Sequence, residues 1–539
     1  MTAKRSRKVF PWFCSVLTSV AVCAAIAVPV RAELETVTVG GQIQIRGNYW
    51  RDTFTAGDTP LLVRNEVRWP QEVLRGRAVG NLLGRDIRGH FDWDSRGADY
   101  KVVEQHTRLH VRAGFSQDLA AFIELDSFDA WGEDFRSNYL TGVDTAARSD
   151  DDIEVYQAYI EADNIFDFPV RLRVGRQEMV FGSGWLIGDN SALPEFTGLS
   201  FDALRLTYTH DVFTIDAFAA KLNEAGAAEE DGDVDLYGLY SSCHAVEGVT
   251  FDLYWFLLRD AAERHDTDDP YWAERIESLL GFDDYDVTNL HTVGLRAAGG
   301  VGPFDFEAEA AYQFGAASSV GVLFAPYAYG DDAPDFDAWA AHAELGYTMD
   351  FSIHPRIWLG AAYVKGEDNR GVGFWSWLNP LAPFEQPRAS ISFDRLFSNT
   401  LYSNFIDEMG ELSNFWTVRG GVGAHPTEAT EVGMDLAYLG VVDTFDQPLH
   451  FRLGRFRIPY LYPFSFLTQD SDSDIGVELG LWLRYAYTDS VTFEAGWSHL
   501  FTGGALEDGN FNDLNGLLFN GGTDDADADY LYLETVVQF

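Results

Sequence analysis

The stretch "RLRVGRQEMVFG" at 171–182 sets Arg171 and Arg173 on alternate positions, with Leu172 and Val174 between and after them. A guanidinium offers a rigid fork of N–H donors that matches a carboxylate or phosphate, so arginines on one face are chemistry for holding or guiding anions. The same alternation puts Arg46, Arg108, Arg112, Arg205, Arg296, Arg419 and Arg484 on the polar side of their segments, with His110 beside them. It also puts Glu124, Asp126, Asp216, Asp305, Glu307, Glu309, Glu344, Asp435, Glu478 and Glu494 there. Two readings stand open. The charges neutralise one another and keep an interior wet, or the basic set forms a wall that guides an anionic solute.

These residues sit in a repeating unit of about ten alternating residues and a turn, the pattern of membrane-spanning strands. Eighteen such segments run from Val37–Tyr49 to Asp529–Phe539. The connections alternate short and long. Short ones include "HD" at 210–211 and "TDS" at 488–490; long ones include 51–102, 182–200, 368–412 and 443–474. A closed up-and-down barrel sorts its loops in this way, with short periplasmic turns and long extracellular loops. The fold expected is an all-β transmembrane antiparallel barrel of about 18 strands over residues 33–539. In lipid the apolar side of each strand faces acyl chains, and a lipid-facing Arg at mid-depth costs ~2–4 kcal/mol. Arg171 and Arg173 are therefore expected inside. Arg176 falls out of that phase: either Gly175 before it is a bulge that resets the register, or Arg176 already lies near the outer interface, and its direction stays open.

The remaining sequence agrees with an exported chain. Residues 1–32 join a basic start, "MTAKRSRKVF", to an apolar run and a cleavage pattern ending at Ala32, which reads as a signal peptide. Cys14 and Cys23 lie within it, so the mature chain keeps Cys243 alone and neither a disulfide nor a cysteine-based metal site is expected. With 84 acidic against 38 basic residues and a formal charge of −46, nucleic-acid binding is excluded as an expectation. No catalytic motif is present, and "DSDSDIG" at 470–476 has Ile475 where a calcium loop needs Gly. Neither cofactor nor resident metal is expected. The chain closes on "DYLYLETVVQF", an alternating strand ending in Phe539, which looks like the signal read by the outer-membrane assembly machinery.

"VRLRVGRQEMVFGSGWLIGDN" at 170–190 and "FTGLSFDALRLTY" at 196–208 resemble the middle of the alginate-export family of bacterial outer-membrane barrels. "WLNPLAPFE" at 377–385 and the run at 412–439 resemble its later part. The resemblance implies an eighteen-stranded monomer with an Arg-lined conduit for a polyuronate, and gives Arg171, Arg173, Arg176 and Arg205 the first claim to a pore role. Arg46, Arg108, Arg112, Arg296, Arg419 and Arg484 join them as expected pore-lining residues. Against that implication, this lumen carries many acids.

The reading is a passive channel of the bacterial outer membrane, not an enzyme, for an anionic polysaccharide or oligosaccharide. A general or small-solute porin of the same architecture is the alternative, and a barrel enzyme or structural surface protein a more distant one. Its partners would be outer-membrane lipid and the anionic solute. Loops 51–102 and 443–474, both rich in Arg, are candidate gates, with two readings open: they fold inward as a constriction or cap, or they rest on the rim.

Overall fold

The computed structural model describes residues 33–52, 99–115, 118–132, 153–191, 198–224, 233–261, 287–316, 335–366, 390–407, 412–444, 472–508 and 527–539, with short pieces at 78–81, 86–88, 321–322, 325–326, 446–453, 456–459, 468–470 and 519–520. Residues 1–32, the expected signal peptide, and most of 51–102 lie outside the described residues, as do 445, 454–455, 460–467 and 471 within 443–474.

The first nine wall strands are β1 (Leu34–Arg51), β2 (Tyr100–Phe115), β3 (Leu119–Ala130), β4 (Glu154–Ala162), β5 (Val170–Gln177), β6 (Phe201–His210), β7 (Phe213–Asn223), β8 (Val234–Val246) and β9 (Val249–Asp260). The other nine are β10 (Thr288–Val301), β11 (Phe304–Ala316), β12 (Asp335–Thr348), β13 (Arg356–Val364), β14 (Phe415–Thr427), β15 (Thr430–Val441), β16 (Asp474–Thr488), β17 (Val491–Thr502) and β18 (Ala528–Gln538). Each pairs antiparallel with its sequence neighbours, and β1 pairs with β18 from Gln42↔Gln538 to Arg51↔Asp529, so the sheet is a closed 18-strand barrel. One further two-residue strand, Ser390–Ile391, joins β12 in parallel. The eighteen segments expected from alternation are the eighteen strands found. One differs materially: alternation runs on to Phe181, but β5 ends at Gln177 and the chain then turns inward.

Closure is tied at the C-terminus by reciprocal backbone hydrogen bonds between Phe539 and Gly41, at 2.9 and 3.0 Å. Gly41 is required there, because a Cβ would lie 2.5 Å from the Arg108 carbonyl oxygen and 2.8 Å from the Phe539 ring. Short turns at the same end use left-handed residues such as Asp118, Asn164, Gly248 and Gly302, which reverse a twisted pair of strands within few residues.

The outward face is a belt of exposed apolar side chains, among them Leu109, Ile123, Leu253, Leu295, Leu345, Leu436, Leu481 and Leu533. Aromatic clusters flank it. At the turn end stand Phe304–Tyr347 and Tyr487–Phe493; at the long-loop end stand Trp255–His291, Trp339–Tyr363 and Trp416–Tyr438. An apolar band between two aromatic girdles is how a barrel matches hydrocarbon and its two interfaces. No helix among the described residues is long and apolar enough to cross a membrane; the strands make the crossing.

The belt makes a direct prediction. Leu206 is outward at the middle of β6. Leu206→Arg should cost ~2–4 kcal/mol of folding free energy in lipid vesicles, measured by denaturant titration; an unchanged midpoint would mean that this face does not meet acyl chains.

Candidate functional site

Parity sorts the arginines. On the inner face, Arg112 and Arg173 share Glu161, at 2.8 and 2.6 Å, and the Arg173 guanidinium lies 4.4 Å from the Tyr159 ring. Arg108 lies 4.0 Å over Tyr156 and 3.2 Å from Glu178. Arg205 donates to Asp216 at 2.8 Å, and Arg46 to Glu534 at 3.0 Å. Across the barrel Arg296 bridges Asp252 (2.8 Å) and Glu307 (2.9 Å). Arg419 lies 3.7 Å from Glu344, and Arg484 3.1 Å from Glu494. Arg171, nearest the short turns, donates to Asp163 at 2.6 Å. Arg356, which the sequence reading passed over, joins Asp305 and Glu344.

Arg176 is a correction. It is in phase with Leu172 and Val174, stands opposite Asp202 on β6, and pairs with it at 2.9 Å on the outer face near the long-loop end. Gly175 has φ +126 but the pairing passes through it without a register shift, so no bulge turns Arg176 inward. Its partner and its place near the interface, where a charge costs only about 0–1 kcal/mol, explain how it is tolerated.

Where the first and last strands meet, the basic set is neutralised. Arg46 and Arg484 border a cavity of about 530 Å³, but Glu494 and Glu534 line it too. Elsewhere inward acids exceed arginines: Glu124 is held by Gln157, and Glu478 by Ser403 and Asn404, without a guanidinium. The interior is a charge-paired, acid-rich surface.

The lumen also holds the molecule's core. Two connections turn into it. One follows β5 (178–191) and buries Met179, Phe181, Trp185, Leu186 and Ile187; the other precedes β14 (described at 390–407 and 412–414) and buries Phe393, Tyr402, Phe405, Ile406 and Leu412. They are stitched together by backbone hydrogen bonds, Phe397 N–H to Leu186 O (2.9 Å), Asn399 N–H to Gly184 O (2.8 Å) and Gly188 N–H to Phe397 O (2.8 Å). The first loop leans on one side of the wall, where Phe181 stacks on Phe218 of β7 and Tyr240 of β8. Gly182 there has φ +61, and a Cβ would press on Tyr240 and Arg296. The second reaches the opposite side. Trp50 of β1 donates to the Asn404 carbonyl (3.3 Å), and Asn404 bonds Glu478 of β16 and Ser498 of β17. Gln313 of β11 and Arg419 of β14 donate to its backbone carbonyls. Together the loops bridge the barrel's width.

A buried ion pair organises the second loop. Arg395 is 1% exposed and Asp407 0%; Nη1 donates to both carboxylate oxygens at 2.8 and 2.7 Å. Asp407 also accepts from the backbone N–H groups of Tyr402 (2.9 Å) and Leu412 (2.8 Å), and Nη2 donates to Ser398 Oγ (3.0 Å). In the first loop, burial pushes the Glu178 carboxyl above its ordinary range, while Tyr156 and Arg108 draw it down. Neither loop was expected as the gate. The available signal was the density of large apolar residues in what should be solvated connections.

Fold and site define a membrane channel barrel with an internal constriction. The alginate-export family model matches residues 90–518, and the chain belongs to that family. No curated protein matches the sequence. Among solved structures it is similar to Pseudomonas aeruginosa OccK8 (OprE), at 11% identity and TM-score 0.45, covering 93% of this chain and 98% of that one. It is similar also to Acinetobacter baumannii OccAB4, at 11% identity and TM-score 0.44, covering 95% and 100%. The family and the closed barrel are those of an outer-membrane channel.

Removing one partner of a buried ion pair leaves a bare charge, at about 3–5 kcal/mol. Asp407→Ala should therefore loosen the 390–414 loop and raise single-channel conductance in planar bilayers. Conductance unchanged from wild type would show that this loop does not limit the pore.

Proposed function

We propose that the protein is a bacterial outer-membrane channel for short polar saccharides, passed one at a time around a constriction made by 178–191 and 390–414. The observation that carries this reading is the pair of loops that bridge the lumen and hydrogen-bond the wall on both sides, so that a solute would have to pass beside them. Charge supports it as well. Inner arginines such as Arg173, Arg205 and Arg296 already hold carboxylates, so the surface lacks the positive excess that would draw a long polyanion. The inward ion pairs suit hydroxyls. The channel works passively and as a monomer in outer-membrane lipid, and Phe539, at the closing seam, is the residue offered to the assembly machinery.

The family's own description, alginate export, is the second reading. The neighbouring Arg108, Arg112, Arg173 and Arg205 favour it, since together they form an arginine-bearing strip from β2 to β6.

Reversal potentials in a salt gradient separate the two. An acid-rich lumen should prefer cations, and neutral oligosaccharides should block current about as well as oligouronates. Anion preference, with block confined to uronates and relieved in Arg173→Gln/Arg205→Gln, would overturn the first reading in favour of the second.

A further inference from the structure

Against the inward loop, one cluster on the inner wall is left chemically unfinished. Glu307 and Glu309 stand on the same face of β11, and His342 stands opposite Glu309 on β12. His342 Nε2 lies 3.7 Å from Glu309 Oε2 and 4.0 Å from Glu307 Oε1, and the three atoms lie within 4.8 Å of one another. The His342 and Glu309 side chains are 9% and 6% exposed. Yet among the described residues neither His342 Nε2 nor Glu309 Oε2 has a hydrogen-bond partner. Buried polar atoms left this way are costly and call for an explanation.

We propose that Glu307, Glu309 and His342 form a divalent-metal site of the zinc class. One imidazole nitrogen and two carboxylate oxygens are a donor set that zinc accepts, with a fourth position open to water or solute. Bonds of about 2.0–2.2 Å place tetrahedral ligands about 3.3–3.6 Å apart, so the His342 contacts close by a few tenths of an ångström and the two carboxylates by up to about an ångström of side-chain rotation. The charge permits it. Arg296 lies 2.9 Å from Glu307 and 3.8 Å from Glu309, but Asp252 shares that guanidinium, and three carboxylates against one Arg leave a negative excess. An outer shell is in place: Tyr254 donates to Glu309 Oε1 at 2.8 Å, which turns Oε2 toward His342. Trp185 of the inward loop stacks on the imidazole, centroids 4.7 Å apart, so the ion would also brace the constriction.

The test is Zn2+ titration by calorimetry on the full-length barrel in detergent, stripped with chelator and held in excess Mg2+ to fill the acidic loops. One Zn2+ site per chain is expected. Glu309→Gln and His342→Gln should each weaken it by more than about 100-fold, and Tyr254→Phe by about 10–100-fold, the range of outer-shell losses. Heat-modifiable gel mobility checks that each variant is a closed barrel, and either ligand variant alone suffices. No Zn2+ site in the wild-type protein overturns the proposal whatever the variants do, and so does a site that survives substitution of the ligands.

Discussion

Hydrocarbon supplies no hydrogen bonds, so a chain crossing it by strands must pair every backbone group with itself. From this follow the β1–β18 seam, the reciprocal bonds of Phe539 with Gly41, and the sorting of side chains by parity. The outward set, Leu109 to Leu533, exists because lipid accepts it; the inward set carries the charge because there is nowhere else for it.

This inverts the usual arrangement of a globular protein. The best-buried aromatics, Trp185, Phe393, Phe405 and Phe415, lie within the tube, and its apolar exterior is covered by the membrane. The inner core joins connections that leave the wall to inward residues of the wall itself, such as Phe218, Tyr240 and Phe415. Because Arg395, Asp407, Ser398 and the Tyr402 and Leu412 amides satisfy one another within one loop, that loop can stay dry and ordered away from the strand ladder.

The wall was legible because strand period and lipid burial leave a two-residue signature, which recovered all eighteen strands and the inward direction of Arg108, Arg173, Arg205 and Arg296. Pairing across strands leaves no such mark. That Glu161 would serve both Arg112 and Arg173, or that Asp202 would hold Arg176 outside, depends on register, which alternation does not encode. The inward loops were illegible for another reason. The segments around 178–191 and 390–407 follow no period, and they are marked by Met179, Trp185, Ile187 and Phe405 where a solvated connection would be polar. His342 was overlooked because its meaning comes from Glu309 on the next strand.

The double use of Glu161 has a kinetic consequence. A solute carboxylate approaching Arg173 meets a cation already engaged, and it must trade places with a tethered competitor that returns as soon as it leaves. If solute passes here as proposed, such a surface would recognise without retaining, because each stop would be shallow and its dwell time short.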